Sequence, residues 1–201
     1  MSLDLEKQLV FYGAYHHDRT NIVIHMFCVP VILVTSLWMA ANSPVVIPLP
    51  AWLAVPNLPL NLGTLGSLLW GGIYVLLEPV AGTALALICV GIAAAGNYAL
   101  AHYDARTVNS YTIAAHVVSW LLQFIGHGRF EGRAPALLDN LFQALFLAPL
   151  FVWLELLFAF GYRQELQKRV GREVQKEVAK FRASRSAAKN GKADENEIKN
   201  Q

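Results

Sequence analysis

The run "IVIHMFCVPVILVTSLWMAA", Ile22 to Ala41, contains no Asp, Glu, Lys or Arg. Roughly 20 apolar residues in a helix cross the hydrocarbon core of a bilayer. Four further apolar runs follow, near residues 62–77, 80–101, 111–125 and 135–160. With 55% hydrophobic and 15% charged residues among 201, the chain does not have the composition of a soluble domain. The expected fold class is all-α: an integral membrane helical bundle of about four to five apolar helices. An interfacial helix precedes it, and a basic amphipathic tail helix follows.

Charge divides the chain in the same way. Up to residue 161 the only basic residues are Lys7, Arg19, Arg106, Arg129 and Arg133, and most Lys and Arg fall in the last 40 positions. A net charge of +2 therefore describes a nearly uncharged body with a basic tail, and no nucleic acid is expected as a partner. The expected units are a membrane-embedded domain, 1–162, and a basic amphipathic helix with a disordered tail, 163–201. Cys28 and Cys89 lie in apolar runs, without metal or disulfide spacing, and read as buried free thiols. No short apolar core with a cleavage site opens the chain, so the first span is expected to serve as its own targeting signal.

Each apolar run is bounded by polar or helix-breaking residues. "LDLEKQLVFYGAY" places Leu5, Leu9 and Tyr12 on one side of a short helix. "HHDRTN" ends it, and Asp18 or Thr20 can cap the next helix. Five prolines between 42 and 62 exclude a continuous helix there, leaving a loop at the membrane surface anchored by Trp52. "GHGRFEGRAP" is a glycine-rich turn, and Pro135 suits the first position of a helix. In the tail, Leu166, Val170, Val174, Val178 and Phe181 form an apolar stripe, with Glu165–Arg169, Glu173–Lys176 and Glu177–Lys180 as pairs on the polar side. That stripe reads as one face of a solvated helix or as an attachment to anionic headgroups. The uncharged loop should face away from the cytosol and the basic tail towards it, which favours an even number of crossings, about four.

The ionisable residues of the body gather at the span ends: His16, His17, His25, His102, Asp104, His127, Glu131 and Arg133. Each is costly inside a membrane, by about 2.5–3.5 kcal/mol on insertion scales. Neutral imidazole is the commonest metal ligand. Sites of His with a carboxylate and open positions suit non-haem Fe(II) and dioxygen. Spacing limits the combinations. In one unbroken helix His16 and His25 would stand ~13 Å apart, so the break at His17–Asp18 is needed for both to reach one ion. His116 and His127, ~16 Å apart on one helix, cannot share an ion, which favours His127 at the glycine break. Glu131 can be a ligand, a partner for an imidazole N–H, or a salt-bridge partner of Arg129 or Arg133. Asn21 and Gln123 can orient a histidine or satisfy backbone at a break.

Two signatures carry a resemblance. "FYGAYHHDRTNIVIHMFCVP" fits Phe-Tyr followed by H-x-x-x-x-N-x-x-x-H-x-x-x-x-P, and "WLLQFIGHGRFEGRAPALLDNLFQALFLAPLFVWLE" contains Q-F-I-G-H, then E-G-x-x-P-A. Over about residues 5–162 the chain resembles the membrane family that includes the 2-hydroxy fatty acid dioxygenase of phytosphingosine breakdown. The resemblance assigns His16, Asn21, His25, His127 and Glu131 to the family motifs. It implies a multi-pass protein of the endoplasmic reticulum membrane that uses Fe(II) and O2 to shorten a 2-hydroxy long-chain fatty acid by one carbon, releasing CO2. His16, His25 and His127 are then expected as metal ligands, with His102 a further candidate, and Glu131 and Arg133 as catalytic residues.

Three other readings compete. A two-iron hydroxylase would need more histidines, in H-x-x-x-H and H-x-x-H-H boxes. A non-enzymatic lipid-binding or scaffold protein would act through the amphipathic tail. A transporter would show an internal repeat, which is lacking.

Overall fold

The computed structural model of the protein describes residues 4–132 and 141–199, with side chains described for 4–132 and 145–187. The expectations for Arg133 and Pro135 fall outside the described residues. All regular elements described are helical: α1 Leu5–Tyr15, α2 Arg19–Ala40, α3 Leu62–Leu77, α4 Pro79–His102, α5 Ala105–Ile125, α6 Leu141–Ala159 and α7 Gln164–Lys199. A π-helical segment, Gly126–Glu131, continues α5. The proline-rich loop carries a short 3-10 turn at Ala51–Leu53 and one antiparallel bridge, Ile47 to Leu60.

The polar breaks are helix caps. The first amides of a helix lack partners within it, and a short polar side chain supplies one. Asp18 accepts from Thr20 N–H at 2.8 Å and Asn21 N–H at 3.2 Å, opening α2. Asn61 does the same for Thr64 at 3.0 Å and Asp104 for Thr107 at 2.8 Å. Pro79 opens α4 at a position where no N–H is needed.

Small residues set the spacing between the long helices. Gly71 faces Ala86, and Gly82 lies against the Tyr74 backbone, so α3 and α4 form a close antiparallel pair. Gly63 meets the backbone of Leu37 and Ala41, and Gly96 sits against the Trp38 ring. This is the contact mode of membrane helices, where small side chains permit close approach. Cys28 and Cys89 are free and buried. Large apolar side chains such as Phe27, Leu76, Val80 and Leu87 point outward, an arrangement suited to lipid. Among the described residues, α2 and α4 are long and apolar enough to cross a membrane. The pair α6 and α7 would add a third span only as a helix broken by 118°.

That break is built by Gly161, at φ 90°, and Arg163, at φ 43°. Arg163 pairs with buried Glu78 between α3 and α4, and Tyr162 donates to the same carboxylate at 3.0 Å. The turn therefore pins α7 back towards the body. Its stripe is neither solvated nor spread on headgroups: Leu166, Val170 and Val178 are buried, and Val174 packs at Gly13 of α1. Arg169, expected to pair with Glu165, bonds Glu6 of α1 at 3.0 Å instead, and Glu165 takes Lys168 at 2.9 Å. The pairs Glu173–Lys176 and Glu177–Lys180 form as expected, both at 2.7 Å. Helix α7 continues to Lys199. Ala183, Ala187 and Ala188 favour helix, and no proline interrupts it.

Candidate metal centre

Three chain segments meet at one end of the bundle. His16 caps the C-terminus of α1, His25 lies two turns into α2, and His127 sits in the π segment after α5. All three are buried. Their ring centroids are 4.4 Å apart for His16–His25, 4.8 Å for His16–His127 and 4.9 Å for His25–His127. One ligand atom from each lies within 4.8 Å of the others. Among the described residues this is the group of His, Cys, Asp or Glu side chains that can hold a metal ion.

The tautomers follow from the hydrogen bonds. His16 Nδ1 lies 2.9 Å from the Tyr12 carbonyl and His25 Nδ1 2.9 Å from the Asn21 carbonyl. A carbonyl oxygen only accepts, so both Nδ1 atoms carry the proton and both Nε2 atoms keep a lone pair. This is how metal-binding imidazoles are held, with the other ring N–H donated to a carbonyl or carboxylate. His16 Nε2 and His127 Nδ1 are buried without a hydrogen-bond partner. Buried polar atoms left in that state are rare and costly, and a cation shared between them would satisfy both. Burial and the neighbouring His25 hold the His16 imidazole well below its usual range, and the same causes bring His127 down to about 4. Both are neutral near pH 7, as ligation requires.

Glu131 holds the arrangement from behind. It accepts from the backbone N–H of His17 at 3.0 Å, from that of Asp18 at 3.1 Å and from Asn21 Nδ2 at 3.0 Å. The His17 ring contacts the same carboxylate. Its oxygens are thus engaged at the break between α1 and α2, rather than aimed among the three imidazoles. Gly126 is needed for this approach, because a Cβ there would stand 2.5 Å from Asn21 Oδ1. Gly132 stands at φ 62°, and its carbonyl accepts from Arg185 of α7 at 2.8 Å.

Other expectations fall elsewhere. His102 is exposed at the far end of α4, stacked on Tyr98 with centroids 4.0 Å apart. The expectation that it joins the site is corrected: α5, 21 residues long, separates it from His127 by ~30 Å. His116 uses both ring nitrogens, with Thr35 at 2.8 Å and Trp120 at 2.9 Å, and stands apart from the three. Tyr12, stacked on His16 with centroids 3.9 Å apart, was not singled out as a site residue from sequence, although its place four residues before His16 is the signal that could have found it.

The model of the family described as 2-hydroxy-palmitic acid dioxygenase Mpo1-like matches residues 2–160. The chain belongs to the Mpo1-like family. A relative from Saccharomyces cerevisiae, described as 2-hydroxy-palmitic acid dioxygenase MPO1, is 34% identical over 165 residues, covering 82% of this chain and 86% of the relative. No solved structure matches the chain. The Mpo1-like match includes α1 to α6 and every histidine of the cluster, and ends before α7.

Proposed function

We propose that this protein is an Fe(II)- and O2-dependent dioxygenase that shortens 2-hydroxy long-chain fatty acids by one carbon and releases C1 as CO2. The observation that carries this reading is the buried convergence of His16, His25 and His127, with ligand atoms within 4.8 Å of one another, in a member of the Mpo1-like family. When bound, iron supplies the redox chemistry that lets O2 react with the 2-hydroxy acid.

The chain's own residues do the rest. Tyr12 and Asn21 fix the protons of His16 and His25 on Nδ1, so that Nε2 faces the centre. Glu131 locks the break that lets His16 fold back beside His25. Arg133, two residues further on, is assigned to the substrate carboxylate. Burial of all three imidazoles keeps bulk water from the reacting end.

The protein is proposed to be multi-pass in the endoplasmic reticulum membrane. Four crossings, α2 to α5, would return the chain to the face where α1 began. Their ends support this count. His25 and His127 mark one face, while Asn42 donates to Asn109 at 2.9 Å, and Asn61 to Asn97 at 2.7 Å, at the other. Residues 1–162 form the proposed catalytic unit, with α7 its buttress. The scaffold alternative relied on a free amphipathic tail, and that face is packed on α1.

Metal analysis of the protein purified into nanodiscs tests the proposal. Stoichiometric iron is expected, lost together with CO2 release in His16→Ala, His25→Ala and His127→Ala, and kept in His102→Ala. Full turnover by metal-free protein, or iron retained in all three cluster variants, would overturn it.

A further inference from the structure

A cleft between α2, α5 and α6 begins at the metal centre and runs into the bundle. His25, Gln123 and His127 line one end, and Ser36, Leu37 and Trp70 line the other. From His25 to Leu37 is twelve residues of α2, ~18 Å at the helical rise. One leaflet of hydrocarbon is ~15 Å deep, half of a bilayer core. The cleft is therefore about as long as an extended long acyl chain is deep in its leaflet.

The two ends differ in chemistry. Gln123 is buried, and its Nε2 has no hydrogen-bond partner. It precedes His127 by four residues, one helical turn, and so lines the cleft beside it. An amide N–H in that position wants an acceptor. The opposite end is mostly apolar, with the Trp70 ring of α3 stacked on Phe146 of α6 at 4.5 Å between centroids. Near that end the polar groups are the Ser36 hydroxyl and the Trp70 indole N–H, whose Nε1 is buried without a hydrogen-bond partner.

We propose that this cleft holds the acyl chain of the substrate, with Gln123 donating to the 2-hydroxy acid end and with Trp70 and Ser36 setting the longest chain accepted. This rests on the dioxygenase reading for the identity of the occupant. The occupant is a fatty acid because the cleft joins a polar end at the metal centre to an apolar end at membrane depth. Trp70 then acts as a floor: removing its ring deepens the cleft, and enlarging Ser36 shortens it. Gln123 distinguishes 2-hydroxy acids from unsubstituted ones, because a site built to hydrogen-bond a hydroxyl discriminates strongly against its absence.

The test uses full-length protein in nanodiscs and 2-hydroxy acids stepped in length from laurate to lignocerate. Binding is read by isothermal titration with each acid, and turnover is read separately. Trp70→Ala should raise the relative affinity for chains longer than the wild-type optimum by about tenfold, the usual discrimination for a methylene in an apolar pocket. Ser36→Leu should lower it for the optimum chain by about the same factor, and remains informative if Trp70→Ala fails to fold. Gln123→Ala should reduce the preference for 2-hydroxy over unsubstituted acids. Unchanged length profiles in an active, folded Ser36→Leu or Trp70→Ala protein would overturn the proposal while leaving the dioxygenase reading intact. Length-selective binding that shifts with these variants, in a protein that turns over no 2-hydroxy acid, would support the cleft and end the dioxygenase reading.

Discussion

Asn21 and Glu131, 110 positions apart in sequence, are joined by a buried hydrogen bond of 3.0 Å at the back of the histidine cluster. The same carboxylate accepts from two successive backbone amides at the break between α1 and α2. One side chain thus ties the segments that carry His16, His25 and His127. Hydrogen bonds to a charged group contribute about 1.5–3 kcal/mol each.

Glu131→Gln should therefore act through position. Its amide would turn an N–H towards donors, at a cost of about 2 kcal/mol in stability. Metal affinity should fall by about 10–100-fold, as for other groups that orient ligands. Isothermal titration with Fe(II) under anaerobic conditions measures this. Unchanged metal affinity with an altered pH–rate profile would instead make Glu131 an acid or base.

Gly126→Ala places a methyl against Asn21 Oδ1, within 2.5 Å. Overpacking of this kind costs about 1–3 kcal/mol. The variant should melt earlier and lose metal, whereas Gly128→Ala, with open space around it, should resemble wild type in metal content. Thermal unfolding and metal content of both proteins provide the comparison.

The metal-free protein should lose stability as pH falls. Burial lowers His127 from 6.5 to about 4 in the folded chain. Between those values the unfolded chain binds the proton and the folded chain does not, so stability rises with pH across the window. The contribution is complete above about 6.5 and fully lost below about 4, where the folded chain is protonated as well. Denaturant unfolding at a series of pH values should show this slope in wild type and a shallower one in His127→Gln.

Val174→Asp should release α7 from α1. Val174 sits at Gly13, and a charge placed there is not matched by any charge shown at that contact. Limited proteolysis should cut α7 faster, and metal affinity should fall because α1 carries His16. By contrast, Glu6→Ala breaks only the surface pair with Arg169, which water and salt screen, and should leave thermal unfolding and metal content near wild type.

Much of this protein is local, and the local part is legible in its sequence. Asp18, Asn61 and Asp104 cap the helices that follow them because a cap needs only a polar side chain and the next two or three amides. The apolar runs mark α2 to α6 because their length and lack of charge admit few other structures. Spacing along one helix was enough to separate His116 from His127. Other features depend on which segments pack together, and helical periodicity does not encode that. The apolar stripe of α7 has the same pattern whether it meets water, headgroups or α1. Glu131 and His102 are both polar residues at helix ends, and only the path of α5 puts them at opposite ends of the bundle. The amino-acid sequence by itself determined the helices, their caps and the residue types suited to a metal. Tertiary structure alone decided that His16, His25 and His127 meet, because their convergence depends on the break between α1 and α2, the π segment after α5 and the carboxylate that joins them.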